Sequence, residues 1–222
     1  PGCVVTAAAD INEPLLRDAA EKYGIANVYT DPGEMIRSDG IDVIDIVTDE
    51  DMHGPLGVLA LQYGKHVFIE KPIATSYAEA EEIYRLSREK QKQVMVGNIS
   101  RFGQPYAALH RYVQSGALGR IAHIRAKRDF SREWFEHFGK RVHPVYESGI
   151  HDLDLILWYA NSKCREVYAI ERKMSGYKYP DLFSAVLIFE NGITATLESA
   201  WLVPAKGPQN LVESLELAGT ID

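Results

Sequence analysis

The amino-acid sequence predicts an α/β protein in which a parallel sheet is followed by an α+β domain with a mostly antiparallel, open sheet. Strand-like and helix-like segments alternate over residues 1–97, with short connections that often end in glycine, as in parallel βα units. After residue 160, four strand-like segments follow one another without a helix, which indicates antiparallel pairing. We therefore predict an N-terminally truncated Rossmann-type domain over residues 1–99 and a C-terminally truncated domain over residues 100–222.

The first domain is predicted to alternate five strands with four helices. Runs of β-branched and other apolar residues indicate strands at residues 3–9, 26–29, 41–47, 65–70 and 93–97. Apolar residues at helical spacing indicate a helix over residues 52–63 and further helices that begin at the caps Asn12, Asp31 and Ser76. Gly24 suits the position just after the first helix.

The second domain is predicted to be richer in strands. The pattern indicates helices at residues 104–115 and 148–159, and strands at residues 121–130, 166–174, 182–190, 193–201 and 211–218. Asn191-Gly192 between two of these strands predicts a hairpin with a type I′ turn. Residues 131–147 mix aromatic, basic and histidine side chains and are predicted to be irregular.

Composition and charge argue against several classes of protein. The net charge of -7 and the pI of about 5.5 disfavour a nucleic-acid-binding protein, which is normally basic. The apolar runs are shorter than a membrane span, so no membrane partner is expected. The two cysteines, Cys3 and Cys164, are far apart, which favours the cytoplasm and argues against a disulfide framework. No metal is expected, because His137 and His143 lack further ligands at suitable spacing.

The stretch Val67-Phe68-Ile69-Glu70-Lys71-Pro72 is the first candidate for chemistry. Its apolar residues favour a buried strand, and proline ends that strand because it has no N–H for the sheet. Lys71 therefore follows the carboxyl end of a parallel strand, the edge at which open α/β sheets bind ligands. A lysine there can donate a proton or polarise a hydroxyl or carbonyl group. The hexapeptide alone leaves a charged turn as an equal alternative.

Asp10 follows the first strand-like run, where dinucleotide-binding folds carry the acid that holds the ribose hydroxyls. That acid lies roughly 20 residues after a glycine fingerprint, and no G-x-G-x-x-G occurs in this sequence. We expect the chain to be an internal fragment of a longer protein that binds NAD weakly by itself. The alternatives are a complete domain without such a loop, and an Asp10 that only caps the next helix.

Four segments follow one another along the sequence in an order and at a spacing that coincidence does not readily explain. They are Ala7-Ala8-Ala9-Asp10, Asp45-Ile46-Val47-Thr48 through His53, Gly64-Lys65-His66-Val67-Phe68-Ile69-Glu70-Lys71-Pro72, and Gly149-Ile150-His151-Asp152-Leu153-Asp154. Together they resemble the motifs of the Gfo/Idh/MocA family of NAD(P)-dependent oxidoreductases, and the resemblance runs along essentially the whole chain. The third segment, which resembles the family's G-K-H-V-x-x-E-K-P signature, is the specific one.

The resemblance implies a two-domain enzyme that transfers a hydride between a nicotinamide cofactor and a sugar or cyclic polyol. The family's second domain commonly forms the subunit interface through its open sheet, which implies a homodimer or homotetramer. The residues that match cofactor-binding positions are Asp10, Thr48, His53 and Glu70. The charge of Asp10 favours NAD over NADP, whose 2′-phosphate is negative.

The catalytic positions of the family fall on Lys71, His151 and Glu147. A histidine can accept the hydroxyl proton near neutral pH, and a lysine on the same oxygen stabilises alkoxide charge. Glu147 stands where the family often has aspartate, four residues before His151, and shares its face if the helix extends that far. Lys71 and His151 are also expected to bind the substrate. Without the resemblance, His151 is better explained as a capping or core histidine.

Arg101 and residues 132–143 are further candidates for the substrate site. Arg101 is expected either to bind substrate or to form an ion pair at the domain boundary. The aromatic side chains of residues 132–143 are expected either to stack on a sugar ring or to belong to a loop ordered only in an oligomer. Asp49 and Glu50 depart from the family by adding negative charge. With the absent glycine loop, they support the alternative of a non-catalytic or truncated binding or regulatory protein of the same fold.

Overall fold

A computed structural model of the chain describes residues 2–139, 141–208 and 210–221, apart from the side chains of His137 and Phe138. The expectations for His137 therefore lie outside the described residues. The chain forms two compact units, Pro1–Gly97 and Asn98–Asp222. The predicted domains at residues 1–99 and 100–222, with their cofactor and substrate roles, stay predictions.

The first unit is a parallel α/β structure. Its strands are β1 (Ala7–Ala9), β2 (Asn27–Tyr29), β3 (Val43–Ile46), β4 (His66–Ile69) and β5 (Val94–Val96). Its helices are α1 (Glu13–Tyr23), α2 (Pro32–Arg37), α3 (Glu50–Gln62) and α4 (Tyr77–Glu89). β1 pairs with β2, while β3, β4 and β5 form a separate sheet in that order, and all three pairings are parallel. The predicted Rossmann-type parallel arrangement is confirmed.

The helix ends follow from local side-chain chemistry. The Asn12 side chain accepts a hydrogen bond from the N–H of Leu15, and Ser76 accepts one from the N–H of Glu79, each at 3.2 Å. Such bonds satisfy N–H groups that have no partner within the helix. Gly24 ends α1 with a φ of 68°, a left-handed conformation that glycine adopts without a steric penalty. These predicted caps are confirmed.

One face of the three-stranded sheet packs against α3, with α4 alongside. Alternation along the strands buries Ile44, Ile46, Val67 and Ile69, which share a core with Leu56, Ala60, Leu61, Ile83 and Leu86. A Cβ atom at Gly57 of α3 would lie 2.9 Å from Cδ1 of Ile69, so glycine allows this close approach of helix and sheet. The packing fixes the strand ends on which the candidate site depends.

The second unit contains one mixed sheet of five strands. The strands are β6 (Ile121–Ser131), β7 (Cys164–Arg172), β8 (Leu182–Phe189), β9 (Thr194–Val203) and β10 (Leu211–Gly219). The helices are α5 (Gln104–Gln114), α6 (Arg132–Phe138) and α7 (Ile150–Ala160), with a 3₁₀ turn at Ile99–Phe102 and a π-helix at Val145–Gly149. The strand order is β10-β6-β9-β8-β7, in which β6 and β9 are parallel and the other pairs antiparallel. The predicted mostly antiparallel sheet is confirmed.

The prediction that residues 131–147 are irregular is wrong. Ser131 caps α6 by accepting a hydrogen bond from the N–H of Glu133 at 3.3 Å. Phe135 of this helix is buried, and its ring packs against those of Trp201 and Tyr177. A large aromatic side chain that anchors in a core stabilises even a short helix, whereas seven residues are too few to show a helical period in the sequence.

The hairpin between β8 and β9 is confirmed, but its predicted type I′ turn is wrong. That turn requires positive φ at both central residues, and Gly192 has a φ of 86° whereas Asn191 is not among the residues with positive φ. The N–H of Gly192 donates to the carbonyl of Phe189 at 3.0 Å, as in a three-residue loop that ends in a left-handed glycine. The Asn191 side chain donates to the carbonyl of Ala160 at 2.9 Å, which anchors Asn191 in this conformation.

Helix α7 packs against β6 on one face of the five-stranded sheet. The shared core includes Ile124, Leu155, Ile156, Phe189 and Leu197. The opposite face of the sheet carries the exposed pair Arg125 and Glu216, together with the exposed Tyr168. Among the described residues, no helix combines the length and apolar character needed to cross a membrane.

Candidate functional site

The carboxyl ends of three parallel strands lie level in the first unit. Ile46 of β3 is paired with Ile69 of β4, and Ile69 is paired with Val96 of β5. Thr48 follows the first of these strands, and Glu70 with Lys71 follows the second. The fold therefore brings three of the predicted functional residues to one edge of the sheet, where parallel α/β sheets bind ligands.

Glu70 occupies space that a neighbouring glycine leaves open. A Cβ atom at Gly97 would lie 3.0 Å from Oε1 of Glu70, so a larger residue there would displace the carboxylate. The other oxygen, Oε2, accepts a hydrogen bond from the backbone N–H of Lys71 at 3.1 Å. Burial and the negative charge of Glu70 raise the pKa of Asp45 on the adjacent strand. This edge of the sheet is thus acidic beside Lys71.

His53 joins the two turns that follow β3 and β4. Its side chain is buried at 1% exposure, with Nδ1 2.7 Å from the carbonyl oxygen of Pro72 and Nε2 3.0 Å from that of Thr48. The ring is thus occupied by backbone groups of the site, which favours a supporting role over direct contact with a cofactor. Leu56 and Ala60, three and seven residues later, are buried on the same helix face, a spacing that predicts burial of His53.

Asp10 directly follows β1 and is exposed. Its Oδ1 atom accepts a hydrogen bond from the N–H of Asn12 at 2.7 Å, and its own N–H donates to the carbonyl of Tyr29 at 3.2 Å. These two hydrogen bonds place Asp10 in a local turn, which is the alternative role proposed for this residue from the sequence. The predicted contact with a ribose stays a prediction.

Glu147 and His151 lie on one uninterrupted helical segment of the second unit. Glu147 belongs to the π-helix and His151 to the first turn of α7, so the helix extends beyond its predicted start at residue 148. The Ser148 hydroxyl explains part of this extension, because it is buried and bonds to the carbonyl of Pro144 at 3.1 Å and to the Ser199 hydroxyl at 2.8 Å. The catalytic roles of Glu147 and His151 stay predictions.

A buried charge network beside His151 was missed by sequence reasoning. Arg128 of β6 forms ion pairs with Asp152 of α7 at 2.9 Å and with Glu213 of β10 at 3.0 Å. Strand alternation carried a signal, because Arg128 falls on the same face as Ile124 and Ala126, both buried. A charge on an apolar face predicts a buried partner.

Arg101 is engaged within the second unit. Its guanidinium donates to both carboxylate oxygens of Asp154, at 2.7 and 2.6 Å, and Asn98 donates to one of them at 3.0 Å. The guanidinium carbon also lies 5.6 Å from the ring centroid of Trp158. This geometry favours the ion-pair alternative, and the predicted substrate contact of Arg101 stays a prediction.

His143 is held by two interactions that use both ring nitrogens. Its Nδ1 accepts a hydrogen bond from the N–H of Val145 at 3.1 Å, so Nε2 carries the proton that faces Glu171 at 3.2 Å. Within the described part of the chain, no group of three or more His, Cys, Asp and Glu side chains is placed to hold a metal ion.

The comparison with known proteins places this geometry in a family. Residues 1–98 match the model of an oxidoreductase family with an NAD-binding Rossmann fold, and residues 106–220 match the Gfo/Idh/MocA C-terminal domain. The chain belongs to the Gfo/Idh/MocA family. The resemblance inferred from the four sequence segments is confirmed.

Two curated relatives illustrate the level of similarity. The myo-inositol 2-dehydrogenase of Thermotoga maritima is 23% identical over 203 residues, which cover 89% of this chain and 61% of the relative. The D-apiose dehydrogenase of Paraburkholderia graminis is 27% identical over 228 residues, which cover 99% of this chain and 60% of the relative. The chain thus spans about three fifths of the length of these relatives.

Solved structures show the same fold. The myo-inositol 2-dehydrogenase of Lactobacillus plantarum superposes with a TM-score of 0.86 at 23% identity, covering 99% of this chain and 67% of that chain. A levoglucosan dehydrogenase in complex with NADH superposes with a TM-score of 0.84 at 22% identity, covering 98% of this chain and 62% of that chain. The predicted fold class, a Rossmann-type sheet followed by a second sheet domain, is confirmed.

Proposed function

We propose that the protein is an NAD-dependent oxidoreductase that transfers a hydride between nicotinamide and a CH–OH group of a sugar or cyclic polyol. The observation that carries the proposal is the level edge of β3, β4 and β5, where Thr48, Glu70 and Lys71 follow strands that end in register. Relatives named as inositol, apiose and levoglucosan dehydrogenases support the same class of substrate.

The residues at this edge suit a dinucleotide. Glu70 at this edge and Asp10 after β1 would hold it, because carboxylates accept hydrogen bonds from ribose hydroxyls, and Thr48 offers a further hydroxyl group. The missing side chain of Gly97 leaves the Glu70 carboxylate in place at this edge. The charge of Asp10 disfavours a 2′-phosphate, so we propose NAD rather than NADP. When bound, nicotinamide supplies the hydride acceptor or donor.

The chain's own residues supply the proton chemistry in this proposal. The Lys71 ammonium donates a hydrogen bond to the reacting substrate oxygen and stabilises its developing alkoxide charge. The His151 imidazole accepts the hydroxyl proton during oxidation and returns it during reduction. Glu147, four residues earlier on the same helical segment, orients the imidazole. Lys71, His151 and Arg101 are also the proposed substrate contacts.

The proposal includes a cytoplasmic homodimer or homotetramer formed through the open face of the second unit's sheet. Exposed Tyr168 and Ile170 of β7 lie beside exposed Val186 of β8 on that face, and contiguous exposed apolar side chains are typical of protein contacts. Cys3 and Cys164 are free, as is usual in a reducing compartment.

A titration of the full-length protein with NADH, followed by turnover assays on a panel of sugars and polyols, tests the proposed function. We expect NADH fluorescence to report saturable binding and at least one of myo-inositol, D-apiose and levoglucosan to be oxidised with NAD. Lys71→Met should leave NADH affinity within a few fold and lower kcat by about 10² to 10³, as expected when a donor to developing oxyanion charge is lost.

The matched control is Lys90→Met, which removes an exposed lysine at the end of α4 and should change neither quantity. Full turnover by Lys71→Met would contradict the assignment of Lys71. Binding of NADH without turnover of any substrate would favour the alternative of a non-catalytic binding protein, and absence of NADH binding by the full-length protein would overturn the proposed cofactor.

A further inference from the structure

Arg128 lies between two carboxylates beside the first turn of α7. Its guanidinium donates two hydrogen bonds to Asp152, from Nε to Oδ2 at 3.0 Å and from Nη2 to Oδ1 at 2.9 Å. It donates two more to Glu213 of β10, at 3.1 and 3.0 Å. The side chains of Arg128 and Asp152 are only 11% and 2% exposed. Arg128 is therefore held in one orientation and holds Asp152 in turn.

Stability alone does not account for this network. Burial raises the pKa of Asp152 and of Glu213, because a charged carboxylate loses water when it is enclosed. Buried ion pairs can often be replaced by apolar residues of similar volume without loss of stability. A bidentate arginine–carboxylate pair does supply a defined geometry, which points to a role in placing the helix.

The geometry links Asp152 to the direction of the His151 side chain. The two residues are adjacent in α7, so their side chains leave the helix about 100° apart. Fixing Asp152 against β6 fixes the rotation of α7 about its axis, and with it the side from which His151 projects. The bidentate ion pair of Arg101 and Asp154 holds α7 at a second position, two residues after Asp152.

We propose that Arg128 is a positioning residue for His151, acting through Asp152, with Glu213 holding the guanidinium from β10. The inference rests on the proposed function, in which His151 moves the substrate proton. Arg128 itself donates its hydrogen bonds to protein carboxylates and acts on the reaction only through the placement of α7. Small displacements of a reacting group lower rates steeply, by about 10²-fold for 1 Å.

The paired replacement Arg128→Met with Asp152→Leu separates positioning from stability. It removes the two buried charges together and leaves only Glu213 without its partner, whose side chain is 27% exposed and can be solvated, so the unfolding midpoint should stay close to that of the wild type. The kcat should fall by about 10- to 100-fold, while the KM for NADH should stay within about twofold because the proposed cofactor contacts lie in the first unit. The single change Arg128→Met is less informative, because it leaves the buried carboxylate of Asp152 without its partner.

Arg125→Met is the matched control. Arg125 lies on the same strand but projects to the opposite face, where it pairs with Glu216 at 2.8 Å while both side chains are about 60% exposed, at 62% and 59%. This variant loses an arginine charge from the same strand and should keep wild-type kcat. A paired variant with wild-type kcat would overturn the proposal.

Amide hydrogen exchange supplies a readout that needs no turnover. The amides in the first turn of α7 should exchange at least about tenfold faster in the paired variant than in the wild type or in Arg125→Met. If the wild type oxidises no substrate, the proposed function fails, while exchange still reports whether Arg128 holds α7. Unchanged exchange in α7 of the paired variant would overturn the positioning role on its own.

Discussion

At the scale of single residues, His53 shows how one buried ring can support the backbone turns of a site. Its nitrogens lie 2.7 Å from the carbonyl oxygen of Pro72 and 3.0 Å from that of Thr48. A neutral imidazole has one N–H and donates to one of the two carbonyls, whereas the protonated ring donates to both. The ring therefore couples the turn that follows β3 to the turn that carries Lys71.

Replacing His53 with phenylalanine tests this coupling. His53→Phe keeps an aromatic ring but leaves the carbonyl that receives the ring N–H, that of Pro72 or that of Thr48, without its donor, which costs about 1–3 kcal/mol of the free energy of unfolding. We expect that loss in urea unfolding, together with weaker NADH binding because two site turns are released. His53→Gln retains an N–H donor and should lose less of both. A phenylalanine variant as stable as the wild type would show that these contacts contribute nothing.

Two further histidines make the stability of the second unit depend on pH. His110 stacks on Trp158 with ring centroids 3.8 Å apart. Burial and the charge of Arg101 lower the pKa of His110, and burial and the charge of Arg125 lower that of His123. The unfolded chain therefore takes up protons near the ordinary pKa of about 6.5 while the folded chain resists them. Their contribution to stability is complete above about pH 6.5 and is lost as the pH falls below it.

The variant His110→Phe tests this dependence because it keeps a ring against Trp158 and removes the titrating group. The free energy of unfolding should fall between pH 7.5 and pH 5.5 in both proteins, and it should fall less in the variant. Urea unfolding at the two pH values measures both changes. Asp129 and Asp152, whose pKa values are raised by burial, act in the opposite sense but are common to both proteins. Identical pH dependence in the two proteins would rule out the role of His110.

At the scale of elements, the sequence predicted best those features that one residue sets locally. Asp31 caps α2 by accepting a hydrogen bond from the N–H of Gly33 at 2.7 Å, as its position before Pro32 predicts. The place of Lys71 at a strand end follows from Pro72 in the same way. Such features depend on residues only a few positions apart, which a single sequence shows directly.

Features set by distant partners were not predictable. The parallel pairing of β6 with β9 joins His123 to Thr194, and no local pattern specifies that choice. The π-helix before α7 contains Ser148, whose hydroxyl bonds to that of Ser199, 51 residues later. Arg128 could be predicted to be buried, but its partner Asp152 is 24 residues away. The motif resemblance identified His151, whereas the residues proposed to hold it in place could be identified only from the folded structure.

At the scale of the whole molecule, the five-stranded sheet has two faces of different character. One face is covered by α7 and the core around Leu155. The other carries the charged pair Arg125–Glu216 of β6 and β10 and exposed apolar side chains at β7 and β8, among them Tyr168 and Val186. A sheet whose second face retains apolar area gains by covering it with another protein surface. The same surface on a second copy is the partner that symmetry favours, since a twofold contact uses one patch twice.

The variant Tyr168→Asp tests the proposed oligomer at this face. Tyr168 is 71% exposed and paired with Val186 across β7 and β8, so the change should leave the fold of one chain intact. In an oligomer the new aspartate would be a buried, unpaired charge, which is unfavourable. The mass from light scattering should therefore fall to that of a single chain at micromolar concentration. Tyr84→Asp on α4 is the control, because Tyr84 is 68% exposed but lies in the first unit. A wild-type protein that is already monomeric, or a Tyr168→Asp variant with unchanged mass, would rule out this face as the subunit contact.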